Sequence, residues 1–142
     1  MFRQIFDGMC LIVLTVAIHG TVLGWSLTAL EADLYASSGS VLAIIWLLSR
    51  LAIYAILAHL VEILIWGIYY TRRGVVPGLE TAFYFSAVTY ATIGYGDVLP
   101  APKWRVLVSM EGLTGILMCA WSGGYFFAVV SKIYSMNGGV PV

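Results

Sequence analysis

Three stretches of this chain are too long and too apolar for an ordinary soluble core: about Gly8 to Leu30, Val41 to Tyr70, and about Trp104 to Tyr134. A helix crosses the hydrocarbon of a bilayer with about 20 such residues. Only helices and closed barrels satisfy their backbone there. The chain is therefore expected to be an all-α membrane protein with three spanning helices. The second stretch is broken only by Ser49, Arg50, His59 and Glu62. Composition agrees, with 61% hydrophobic and 10% charged residues, where a soluble domain is nearer half and a quarter. A formal net charge of zero gives no general attraction to nucleic acid. Membrane lipid is the expected surrounding.

Between the second and third stretches lies a shorter one, "PGLETAFYFSAVTYA", Pro77 to Ala91. It is too short to span and suits a re-entrant helix. The first stretch follows Arg3 but is longer than a signal-peptide core, and "SLTALEA" makes a poor cleavage site, so it reads as a helix that stays. Cys10 and Cys119 read as free, packed thiols, since two distant cysteines in apolar runs make neither a disulfide framework nor a metal site. No zinc spacing, phosphate-binding glycine loop or nucleophile elbow occurs, so no enzyme is expected.

After the short segment comes "TIGYGD", Thr92 to Asp97. Irregular backbone at membrane depth is tolerated only inside protein or against water. Gly94 and Gly96 can take left-handed angles at low cost. Alternating hands turn successive carbonyls of Thr92, Ile93, Gly94 and Tyr95 to one side. Four copies around an axis would then stack rings of oxygens that replace a cation's water shell, with the Thr92 hydroxyl closing the innermost ring.

Residues Gly78 to Lys132 resemble the pore domain of potassium channels of the two-transmembrane, pore-loop type, in particular small bacterial members. The residues carrying the resemblance are Thr92, Ile93, Gly94, Tyr95, Gly96 and Asp97, with Thr89 before them and Trp104 opening the inner helix. It covers roughly Leu51 to Tyr134 and leaves the N-terminal segment outside. It implies an N-terminal helix and loop over 1–40, then a pore domain over 41–142 made of outer helix, pore helix, filter and inner helix. It further implies a homotetramer that passes potassium ions through carbonyls of Thr92 to Tyr95 and the hydroxyl of Thr92, with no organic cofactor. The expected location is a bacterial inner membrane. The alternatives are a non-selective cation channel, or a regulatory or transporter subunit with a channel-like pore loop. One departure stands near the filter: Ala91 replaces the first of the family's paired threonines.

The resemblance assigns filter support to Asp97, Tyr84, Phe85 and Thr89, either as packing or with the Tyr84 hydroxyl bonded to Asp97. The C-terminal end of the pore helix points partial negative charge at the membrane centre, and each of four such ends stabilises a cation there by ~0.5 to 1 kcal/mol. Gly112, Gly115, Gly123 and Gly124 in the third stretch serve either close packing or bending. Leu117, Ala120, Gly124 and Ala128 share a helix face expected to see the cavity, with Phe127 narrowing its exit.

Ionisable residues within a span are functional candidates. His59 and Glu62 share a face. Glu62 and Glu111 fall about 10 to 12 Å below the outer edge by helical rise. That predicts two carboxyls sharing a proton, with His59 nearby, as a pH-sensing group or a quiet structural cluster. His19 reads as a packing or helix-contact residue. No regular row of arginines marks a voltage sensor. No sensor domain is expected after the inner helix, so gating is assigned to the helices, filter, lipid, pH or an unknown regulatory subunit. The resemblance puts the filter mouth outside, with Arg3, Arg72, Arg73, Lys103 and Arg105, whereas the positive-inside rule favours the reverse.

Overall fold

The computed structural model describes residues 2–36 and 40–136. Four α-helices follow in order: α1 Phe2–Ala36, α2 Val41–Arg73, α3 Leu79–Tyr90 and α4 Arg105–Met136. A short 3-10 turn, Pro102–Trp104, leads into α4. The protein is all-α, and among the described residues three helices are long and apolar enough to cross a membrane.

Local chemistry explains the boundaries. Ser40 caps α2 by accepting from the Ala43 amide at 3.5 Å, and Arg72 and Arg73 complement the helix dipole in its last turn. Gly74 stops the helix with φ 64°, a left-handed cap that glycine adopts without strain. Gly78, with φ 79°, precedes α3, and Glu80 sits in its first turn. Helix α3 is thus slightly shorter than the Pro77–Ala91 stretch.

Helix α3 is wedged between α2 and α4. The approach to α2 is close enough that a Cβ added to Gly67 would lie 3.2 Å from the Phe83 Cα. An apolar cluster of Trp66, Tyr70, Val75, Val76, Ala82, Phe85 and Leu107 fills this junction. Farther along, Leu47 and Leu51 of α2 meet Val129 and Ile133 of α4. Helix α1 packs against both long helices. Asp7 accepts from Arg73 at 2.7 Å and from Tyr69 at 2.8 Å. The Trp66 indole donates to Thr15 at 3.2 Å, and Ser26 hydrogen-bonds Tyr125 at 2.9 Å. Cys10 and Cys119 are free as expected but are exposed on the single chain rather than packed.

Candidate ion filter and the polar ring behind it

Beyond Tyr90 the chain leaves the helix in a tight turn. The Thr92 amide donates to the Thr89 carbonyl at 2.9 Å, and the amides of Ile93 and Gly94 donate to the Val88 carbonyl at 2.8 and 3.1 Å. The segment then runs without regular secondary structure to Pro100. Positive φ occurs at Thr92 (59°), Gly94 (55°) and Gly96 (79°), and not at Ile93 or Tyr95 between them. The alternation predicted for the glycines is therefore present, and it begins one residue pair earlier. Thr92 is the one non-glycine residue with positive φ among the described residues. A β-branched residue in that region is strained and persists only where its surroundings hold it.

Thr92 to Gly96 are all exposed on a single chain. The Ile93 side chain is 54% exposed and that of Tyr95 70%. Behind them the Tyr84 hydroxyl donates to Asp97 at 2.7 Å, the bond anticipated from the sequence, and this carboxylate holds the phenol above its ordinary pKa. Phe85 is buried, edge-on to Tyr70. Thr89 takes part through its carbonyl, which also lies 3.4 Å from where a Cβ on Gly112 would fall.

Gly115 turns out to be a packing glycine. A Cβ there would overlap the backbone carbonyl of Tyr90, so α4 crosses the C-terminal end of α3 only because this position carries hydrogen alone. A Cβ added to Gly123 or Gly124 would meet nothing within 4 Å. Leu117, Ala120, Gly124, Phe127 and Ala128 are exposed on one chain.

Glu62 and Glu111 do not share a proton. The Glu111 oxygens are taken by Tyr70, whose hydroxyl donates at 2.5 Å, and by Ser86. Those of Glu62 are taken by His19 at 2.9 Å and by the Tyr90 hydroxyl. His59 hydrogen-bonds the Tyr90 hydroxyl at 3.1 Å through Nδ1. Its Nε2 lies 3.2 Å from Ser122 Oγ, which is also 3.0 Å from His19 Nε2. Of the three grouped residues, the structure joins His59 and Glu62, keeps Glu111 apart, and adds His19, Tyr90 and Ser122. Sequence reasoning missed the last two as members of a site and gave His19 only a contact role. The usable signal was that each is polar inside an apolar helix. His19, His59 and Glu62 have ligand-type atoms within 4.8 Å of one another, a set that fits zinc by type. Every one of those atoms already has a hydrogen-bond partner, so the cluster is complete without an ion.

Residues 41–132 match the model of a family described as ion channel. A stretch of 54 residues is 44% identical to the inward rectifier potassium channel Kirbac3.1 of Paramagnetospirillum magnetotacticum, covering 37% of this chain and 18% of that protein. The chain thus matches under a fifth of that relative's length. No solved structure matches it.

Proposed function

This chain belongs to the ion channel family, and we propose that it conducts potassium selectively and passively, as a ring of four copies with Thr92 to Gly96 lining the ion path. The observation that carries the reading is the alternation of backbone hand at Thr92, Gly94 and Gly96. That geometry lets consecutive carbonyls face one axis and stand in for water around a dehydrated cation. A relative named as a potassium channel supports the choice of ion. Asp97 and Tyr84 brace the outer end, while Phe85 and Thr89 support the strand from the pore helix.

Four-fold assembly is supported by what one chain leaves uncovered. One filter strand supplies a quarter of each oxygen ring, and its Ile93 and Tyr95 side chains stand exposed. The face of α4 with Leu113, Leu117 and Phe127 is likewise uncovered, at 71%, 56% and 73% exposure. A closed ring of identical copies would cover the strand and place that face on a central cavity. The membrane proposed for it is a bacterial inner membrane.

Native mass spectrometry in mild detergent tests the assembly. Four chains of 15.5 kDa give 4 × 15.5, about 62 kDa. The same preparation in liposomes should release potassium in a barium-sensitive manner. A stable dimer that retains full flux would contradict the reading.

A further inference from the structure

Helix α1 lies outside the residues that match the ion channel family, yet it reaches the foot of the pore helix. We infer that α1 is a working part of the pore, in which His19 is a positioning residue that closes a hydrogen-bonded ring around Tyr90 and so fixes the entry to the filter. The inference rests on the reading of Thr92 to Gly96 as a potassium filter.

The ring has five members drawn from all four helices: His19 of α1, His59 and Glu62 of α2, Tyr90 of α3 and Ser122 of α4. Five hydrogen bonds join them in a closed circuit: Glu62–Tyr90, Tyr90–His59, His59–Ser122, Ser122–His19 and His19–Glu62. His19 and Glu62 are fully buried, where an unmade bond costs more than a made one gains. Trp121 lies against His19, with ring centroids 5.5 Å apart.

Proton counting shows how the circuit works. Five bonds need five protons. In one arrangement Glu62 is protonated and donates to Tyr90, Tyr90 donates to a neutral His59, and His59 to Ser122. Ser122 then donates to His19, and His19 back to Glu62. In another, Tyr90 donates to a Glu62 carboxylate, and His59 is an imidazolium donating to both Tyr90 and Ser122. Both arrangements fill every bond and leave no net charge in the membrane. One proton fewer leaves a bond unmade, whereas one proton more keeps all five, with Ser122 accepting from both histidines, and leaves a net positive charge in the membrane. Tyr90 relays this change without titrating itself. The other titratable groups beside the ring are Cys119, which Glu62 faces and which acts on Tyr90, and Glu111, which acts on Tyr90. Both belong to α4. Asp7 of α1 and Arg73 of α2 pair with each other about 18 Å from His19 along α1, at 1.5 Å per residue.

Tyr90 is the last residue of the pore helix, two before Thr92. Its hydroxyl is held by the ring and its backbone is pressed against Gly115. Loosening the hydroxyl releases one of these two grips on the strand's point of departure. His19 is the link that brings α1 into that grip.

The test uses the full chain with His19→Leu, His19→Gln and Ser122→Ala, each first confirmed to assemble as the wild type does. Glutamine keeps an amide N–H for Glu62 but cannot titrate. Potassium flux in liposomes near neutral pH should be about tenfold lower in His19→Leu and Ser122→Ala than in the wild type, the equivalent of one charge-assisted hydrogen bond. His19→Gln, whose amide can still donate to Glu62 and accept from Ser122, should keep the flux near the wild-type level. Hydrogen exchange at the Ile93 amide, which is bonded to Val88 at 2.8 Å, gives a readout independent of conduction. It should speed up about tenfold in His19→Leu and Ser122→Ala, and return close to wild type in His19→Gln. Exchange at Ile93 unchanged in both ring-breaking variants would overturn the inference, as would exchange in His19→Gln as fast as in His19→Leu. If the wild type passes sodium as readily as potassium, the filter reading fails, while Ile93 exchange still decides the ring.

Discussion

Gly94→Ala should eliminate potassium-selective flux while leaving the helices and their assembly in place. Gly94 has φ 55°, and a Cβ added there meets nothing within 4 Å. The penalty therefore lies in the backbone alone. An L-residue in the left-handed region costs about 1 to 2 kcal/mol. Four copies in the proposed ring would bring this to roughly 4 to 8 kcal/mol per channel. If that strain is relieved by rotating the peptide, a carbonyl leaves each oxygen ring. The smaller figure alone corresponds to roughly a thousandfold loss. Rubidium uptake into liposomes measures the loss, and native mass spectrometry shows whether the proposed tetramer survives. A D-alanine introduced at the same position prefers the left-handed region and should restore most of the flux. Full activity of the L-alanine variant would mean that this backbone angle is not part of the ion path.

Gly115→Ala should be about as damaging, for a different reason. The added methyl would overlap the Tyr90 carbonyl, and this obstacle is backbone rather than the end of a flexible side chain. Helix α4 must back away from the foot of the pore helix. Overpacking of this kind costs roughly 1 to 3 kcal/mol at a well-packed site, and a direct overlap with backbone falls at the upper end. In a four-fold assembly the cost recurs in each subunit. A marked drop in the thermal midpoint of the assembly, with loss of selective flux, is the expected result. Gly124→Ala is the matched control, because a Cβ there meets nothing within 4 Å. It should leave stability near wild type, and any change in its open probability would then report on bending at that position. Equal stability of Gly115→Ala and Gly124→Ala would remove the packing role given to Gly115.

What could be read from the sequence was what depends on order along the chain. Span length, the short helix before "TIGYGD" and the left-handed glycines all follow from local chemistry. The observed helices begin and end within a few residues of the expected places, except that α1 extends to Phe2 and Ala36. The left-handed Thr92 was not legible, because nothing in its residue type favours that region. The pairing of Glu62 with Glu111 failed for a geometric reason. Helical rise gives depth but not azimuth, so two residues at one depth can face different neighbours. Ser86 and Tyr90 lie one helical turn apart on the pore helix, and each engages a different carboxylate. His19 could not be placed at all from the sequence. Its partner Glu62 lies 43 residues away, and only the packing of α1 against α2 sets which of its faces meets that carboxylate.

The reversal potential of purified wild-type channels in a planar bilayer, with potassium on one side and sodium on the other, tests the account most directly. The proposed filter predicts a potential that follows the potassium gradient and is insensitive to sodium. A reversal potential near zero, with sodium carrying current as readily as potassium, would contradict it.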